Sequence, residues 1–382
     1  MAALFIGALW LPIFDSLFHW DNTPQVKENR PLAPFPRLAP GPGGIRKFIS
    51  GLDSYYTDHF GFRRRLIYWA QTWKRQWFKG AWQSQVIIGR QGWLYHAGWE
   101  GTENGLRVTR PFAPEELQDW RTLFESRRDW LARRGIHYLV VVPPGKQTIY
   151  PEYLPAWASK PDATAKLDVF MSYMKHGSTV EILDLRPALL EAKKTRRAYP
   201  LTGLHWNEWG AFAAYTEIVR TLARQVPGLG ALPLSCFKEE THDEPGGDLA
   251  KLLAGSEVMI ERDSLFLLPR PPLEPVPVAV THITGASIYR AENPAQKGRA
   301  IIFGDSFAQA LLPFLGCHFN EVILYDVYWQ HPLDSNGKSG PAHTWIPALI
   351  EQKRPQVLID EIQESLLLIE EPGMILRADG WK

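Results

Sequence analysis

The sequence predicts an α/β protein, a three-layer α/β/α sandwich around a mainly parallel sheet. Two observations predict it. Apolar runs such as "IHYLVVVPP" and "RAIIF" are what strands buried on both faces of a parallel sheet carry. These runs alternate along the chain with segments of helical period, the order of βαβ units. The 382 residues, 45% hydrophobic and 22% charged, are also enough for a sizeable core in one large domain or two smaller ones.

Taken in order, residues 1–20, "MAALFIGALWLPIFDSLFHW", are apolar almost throughout and read as a membrane anchor or a truncated signal segment. No Lys or Arg precedes Lys27, so the basic start of a secretory signal is missing, and Pro12 and Asp15 weaken a spanning helix. A buried N-terminal helix is the alternative. Residues 21–44 form a linker in which "RPLAPFPRLAPGPGG" packs five prolines and three glycines into fifteen residues and favours an extended spacer. The body of the protein is then 45–382.

Two helical patterns run from Ile45 to Phe78, and "SQVIIGRQGWLYH" reads as a hairpin turning at Gly89 to Gly92. A helix opens at Pro114, with Glu115 and Glu116 near its positive end, and closes at Gly135. After the strand "IHYLVVVPP" come helix 161–175, strand "TVEILDL", helix 207–225, strand "RAIIFGDS", helix 307–315, strand "EVILYDV", helix 344–353 and strand "QVLIDEI". The segment 227–296 breaks this rhythm and reads as an insertion or lid.

With 42 basic against 41 acidic residues, the chain has no field that would gather nucleic acid. Cys236 and Cys317 are too few for a disulfide framework and read as two unpaired thiols, one bridge being the alternative. The 11 histidines form no HxH or HExxH pattern, so neither a metal nor a cofactor is expected. The 16 tryptophans are natural platforms for sugar rings, although packing accounts for most such residues.

Chemistry points to "FGDSFAQALL". Ser306 falls where a buried strand gives way to a helix, a turn that lifts the hydroxyl above the sheet and aims helix amides at a developing oxyanion. On the local sequence it serves equally well as a helix cap. A serine nucleophile needs a base, and His205 in "PLTGLHWNEWGAFAAY", at a loop-to-helix junction before the capping-type Asn207, is the best candidate. Lys146, after "HYLVVVPP", is a candidate oxyanion or substrate contact, with an exposed loop lysine as the alternative. Tyr328 and Trp329, in "DVYWQHP" after another strand, are candidates for stacking on sugar or for donating a hydrogen bond.

An ordered series of segments, "KENRPLAPFP", "YYTDHFGFRRRLI", "VIIGRQGWLYH", "VVVPPGKQTIYPEYLP", "LHWNEWGAFAAY", "GGDLAKLL", "FGDSFAQALLPFL" and "KRPQVLIDEI", resembles the bacterial alginate O-acetyltransferase family over about Glu28 to Leu368. The resemblance implies an SGNH-hydrolase-like fold and acetyl transfer to a secreted exopolysaccharide. It implies Ser306 as nucleophile, passing through an acetyl-serine intermediate, and His205 as general base. It also implies a periplasmic protein anchored to the inner membrane through its N-terminal segment, receiving acetyl groups from a membrane-bound O-acyltransferase. The family's motif carries Asp two residues before the histidine, whereas this chain has Gly203. An orienting carboxylate fixes the imidazole tautomer, and its loss can cost about 10⁴-fold in turnover. Asp184 and Asp305 are the candidate substitutes. The competing expectation is a catalytically impaired homologue that binds polysaccharide or scaffolds an acetylation complex, and an esterase acting towards water is a third.

Overall fold

The computed structural model describes residues 10–12, 14, 15, 18, 20, 33–38, 40–62, 86–97, 111–156, 162–253, 259–283, 286–326, 345–369 and 372–378. In chain order, helix α1 (Pro42–His59) is followed by a small hairpin of β1 (Val86–Ile88) and β2 (Leu94–His96). Next come α2 (Pro114–Ala132), β3 (His137–Val142), the short α3 (Lys146–Ile149), α4 (Asp162–Gly177), β4 (Ile182–Asp184), α5 (Arg186–Ala192) and α6 (Glu208–Leu222). The third stretch holds β5 (Phe237–Pro245), α7 (Asp248–Leu252), β6 (Ile260–Pro269), β7 (Val276–Ile283) and β8 (Ala286–Glu292). The last holds β9 (Arg299–Gly304), α8 (Ser306–Gln309), α9 (Leu312–Leu315), β10 (Glu321–Asp326), α10 (Pro347–Lys353), β11 (Val357–Glu361), α11 (Glu364–Ile369) and α12 (Pro372–Ala378).

A seven-stranded sheet in the order β4-β3-β11-β9-β10-β8-β7 forms the middle layer. The strands from β4 to β10 run parallel, and β8 and β7 add antiparallel to that edge. Because side chains alternate across a strand, Leu139 and Val141 of β3 enter one core while Tyr138, Val140 and Val142 enter the other. Helix α6 covers the first face with Ala214, Tyr215 and Ile218, and α2 and α4 cover the second with Trp120, Phe124 and Phe170. Each such side chain contributes on the order of 1.5–3 kcal/mol by leaving water, which is why runs with apolar residues at both parities become central strands.

The expected elements that fall on described residues recur with shifted ends, while the second helical pattern expected before Phe78 lies outside the described residues. Glu115 and Glu116 occupy the first turn of α2, and Pro114 opens it. The helix expected over 307–315 is two short helices, because Pro313 suits a first turn and sits in that of the second one. The linker expected over 21–44 ends earlier, since α1 already includes Pro42, Gly43 and Gly44.

The segment 227–296 is not simply an insertion or lid. Its first half is the antiparallel ribbon β5–β6 with α7 between the strands, but its second half supplies β7 and β8 to the central sheet. Most of residues 1–32 lies outside the described residues, and among those described no helix is long and apolar enough to cross a membrane. Cys236 and Cys317 are both free thiols.

Candidate active site

Strand β9 runs buried between β11 and β10 and delivers Ser306 at its carboxyl end, where open α/β sheets expose ligand-binding groups. The turn into α8 is tight. A Cβ on Gly304 would lie 2.6 Å from Glu361 Oε2, 3.0 Å from Ala308 Cβ and 3.3 Å from Glu361 Cβ, so a larger residue would have to push the end of β11 or α8 aside. Glu361 Oε2 accepts from the Asp305 N–H at 3.0 Å. The helix cap is Asp305, whose Oδ1 accepts from the Phe307 N–H at 2.7 Å. That leaves Ser306, inside the first turn and half-buried, with its hydroxyl unused by the cap.

His205 lies on the turn before α6, which is capped by Asn207 accepting from the Gly210 N–H at 3.0 Å. The same asparagine donates Nδ2 to the Arg197 carbonyl at 2.7 Å, tying the turn to the preceding loop. Phe307 joins the two motifs. Its carbonyl accepts from Trp206 Nε1 at 3.2 Å, and its ring meets those of His205 and Trp206 edge-on at 4.8 and 5.2 Å.

The result is a hydrogen bond of 2.6 Å between Ser306 Oγ and His205 Nε2. On the far side of the imidazole, Nδ1 lies 2.7 Å from Asp248 Oδ2. A carboxylate only accepts, so Nδ1 carries a proton, and in the neutral imidazole Nε2 is then the lone-pair nitrogen facing the hydroxyl. Asp248 Oδ1 also accepts from the Leu204 N–H at 2.6 Å and the Leu249 N–H at 2.9 Å. Partial burial pushes the Asp248 carboxyl up, but the hydrogen bond and charge of His205 with those two amides outweigh it, and the group lies below its ordinary value.

The orienting carboxylate is therefore neither of the two expected. Asp184 is held by Arg186, with Nη2 2.7 Å from Oδ2 and Nε 3.0 Å from Oδ1. Asp305 is spent on the helix cap, where burial first of all pushes its carboxyl up to about 7. Asp248 was missed because an Asp opening a short helix in "GGDLAKLL" reads as a cap. Nothing in the local sequence shows that it meets His205.

Gly203 makes room for this arrangement. A Cβ there would stand 2.6 Å from Pro200 Cγ and 3.5 Å from Asp248 Oδ1. Gly247 is equally tight, since its Cβ would meet Gly203 Cα at 2.8 Å. The two glycines pack backbone on backbone, and Thr202 seals the contact by accepting from the Gly247 N–H at 2.8 Å and donating to Glu261 Oε1 at 2.5 Å.

Lys146 is neither an exposed loop residue nor open to a substrate. It is 1% exposed, and its Nζ donates to the carbonyls of Leu94 and Leu201 at 2.8 Å and of Gly203 at 2.9 Å. Burial pulls its ammonium down to about 7, against the opposing pull of Glu261 and Asp248. Tyr328 and Trp329 lie outside the described residues. Among the described residues no group of His, Cys, Asp and Glu is arranged to hold a metal ion.

A serine, a histidine and an aspartate in hydrogen-bonded series, on the carboxyl edge of an α/β/α sandwich, define the class of serine-based hydrolases and acyltransferases. Residues 86–364 match the family described as SGNH hydrolase-like domain, acetyltransferase AlgX, and the chain belongs to that family. It is 26% identical over 265 residues to the probable alginate O-acetylase AlgJ of Pseudomonas fluorescens, covering 68% of this chain and 60% of that one. Its likeness to the same protein of Pseudomonas syringae pv. tomato is 25% over 232 residues, 59% of this chain and 54% of that one. The chain thus spans little more than half the length of these relatives. In fold it is similar to Bacillus cereus PatB1, with a TM-score of 0.55 at 15% identity over 76% of this chain and all of that one.

Proposed function

We propose that this protein is an O-acetyltransferase that moves acetyl groups onto hydroxyls of a secreted exopolysaccharide through an acetyl-Ser306 intermediate. Ser306 Oγ attacks the acetyl carbonyl of an ester donor while its proton passes to His205 Nε2. The imidazolium returns that proton to the departing donor oxygen, leaving acetyl on the serine. A sugar hydroxyl then gives its proton to Nε2 and attacks the acetyl-serine, and the serine leaves with that proton. Asp248 holds the ring in the tautomer both half-reactions need and stabilises the imidazolium between them.

The observation that carries this reading is the continuous line from Ser306 Oγ through both nitrogens of His205 to Asp248. It also bears on the alternative of a silenced homologue. That alternative starts from a histidine left without a carboxylate by Gly203, and Asp248 supplies one. The relatives this chain resembles are named probable alginate O-acetylases, which supports the reading: the acceptor we infer is an extracytoplasmic polymer, with a membrane-bound O-acyltransferase as the source of acetyl groups and an N-terminal inner-membrane tether.

The test is turnover of a chromogenic acetyl ester, with and without oligosaccharide acceptor, by wild type and Ser306→Ala. The expected result is acetylated oligosaccharide and an acetyl adduct on Ser306 in the wild type, and neither in the variant. Equal turnover by the two proteins would remove Ser306 from the mechanism. Binding of oligosaccharide without turnover in either would favour the scaffold reading.

A further inference from the structure

We propose that Lys146 is a positioning residue of this site: its buried ammonium, bonded to the Leu94, Leu201 and Gly203 carbonyls, fixes the turn that presents His205 to Ser306. The inference rests on reading Ser306 and His205 as the acyl-transfer pair.

Three features make the lysine more than a core filler. First, its three hydrogen bonds use all three donors of an ammonium, and an apolar side chain of the same length would take that donor from the Leu94 and Gly203 carbonyls and leave Leu201 with the Leu94 N–H alone. Second, two of those carbonyls belong to the turn before His205, and the third belongs to β2, whose Leu94 N–H also donates to the Leu201 carbonyl at 2.8 Å. Lysine, strand and turn thus form one closed knot. Third, the base of the lysine is itself fixed. Gly145 donates its N–H to Glu364 Oε2 at 2.7 Å, and Thr148 donates to Glu364 Oε1 at 2.9 Å.

Glu364 opens α11, directly beyond β11, the strand whose last residue Glu361 braces the turn of Ser306. Lys146 therefore refers the histidine turn to the same sheet edge that carries the serine. The Trp93 and Tyr95 rings, 5.0 and 5.4 Å from Nζ, add an aromatic wall that favours the cation. Arginine is a poor replacement, because its planar fork does not match three carbonyls converging on one nitrogen.

Displacement of a proton acceptor by about 1 Å can cost on the order of 10²-fold in rate without affecting substrate binding. The experiment measures kcat, KM and melting temperature of wild type, Lys146→Met and Lys146→Gln with a chromogenic acetyl ester, alongside covalent labelling of Ser306 by a sulfonyl fluoride. Lys146→Gln keeps amide donors for the carbonyls and covers the case in which the methionine variant does not fold. The expected result, in variant that is folded, is kcat lower by about 10²-fold, KM within threefold, and labelling slowed in parallel. A variant with lowered melting temperature but wild-type kcat and labelling would make Lys146 a structural lysine and overturn the proposal. A wild type with neither turnover nor labelling would instead overturn the acyl-transfer reading, and this inference with it.

Discussion

Ser306 and His205 meet in one hydrogen bond, yet the chain holds them in different ways. The serine's turn is set mainly by its own neighbours: Gly304 allows the close approach to β11, Asp305 caps the helix and Phe307 packs edge-on against the imidazole, with Glu361 and the Trp206 indole as distant braces. The histidine's turn depends on distant groups, namely Lys146 after β3, Asp248 at the start of α7, and Glu261 on β6 through Thr202. A buried parallel strand carries its carboxyl-end residue to one place on its own, whereas a loop needs partners for each backbone group it hides. The nucleophile should therefore tolerate changes elsewhere in the molecule, and the base should not.

The sharpest way to break this contrast is Asp248→Asn. The substitution keeps the volume and the contact with the Leu204 N–H but loses the acceptor charge that selects the Nδ1–H tautomer of His205. We expect ester turnover to fall by about 10²- to 10⁴-fold, with Asp184→Asn near wild type. Steady-state kinetics on the two variants decides it, and a fully active Asp248→Asn would mean that the base needs no orienting acid.

A smaller effect is expected from Gly203→Asp, which restores the residue pattern of the family's histidine motif. The obstacle is not backbone conformation, because Gly203 is not among the glycines with positive φ. It is space: the new Cβ meets Pro200, and the new carboxylate stands beside that of Asp248. Turnover unchanged or reduced by up to about tenfold is expected, with Gly203→Ala showing how much of the loss is steric. A gain of tenfold in Gly203→Asp would show that His205 is not properly oriented in the wild type.

The smallest effect separates stability from catalysis. Glu208, in the first turn of α6, has its Oε2 buried with no hydrogen-bond partner among the described residues, and burial pushes its carboxyl up from 4.5 to about 7. A carboxyl whose folded pKa lies above its unfolded one favours the folded state most when protonated. That contribution is complete below about 4.5 and is lost as pH rises through about 7. Glu208→Gln should therefore match wild type in melting temperature at pH 5 and exceed it by about 1–3 °C at pH 8, with kcat unchanged. Melting curves at the two pH values check the sign, and an advantage at pH 5 alone would reverse it.

The layers of this protein were legible in its residue pattern, and so were Ser306 and His205 as a candidate pair. Apolar runs with hydrophobic residues at both parities pointed to central strands, and "FGDSF" after such a run pointed to the sheet's carboxyl edge. His205 was legible because a histidine beside a capping asparagine opens a helix from a fixed position. Three things became visible only in the folded chain: that β7 and β8 complete the sheet, that Lys146 is buried, and that the carboxylate in contact with His205 is Asp248 rather than Asp184 or Asp305. The physical reason is common to all three. Strand and helix signals are written in the periodicity of adjacent residues, while the worth of a charged or edge residue depends on which distant backbone groups and charges fold up against it.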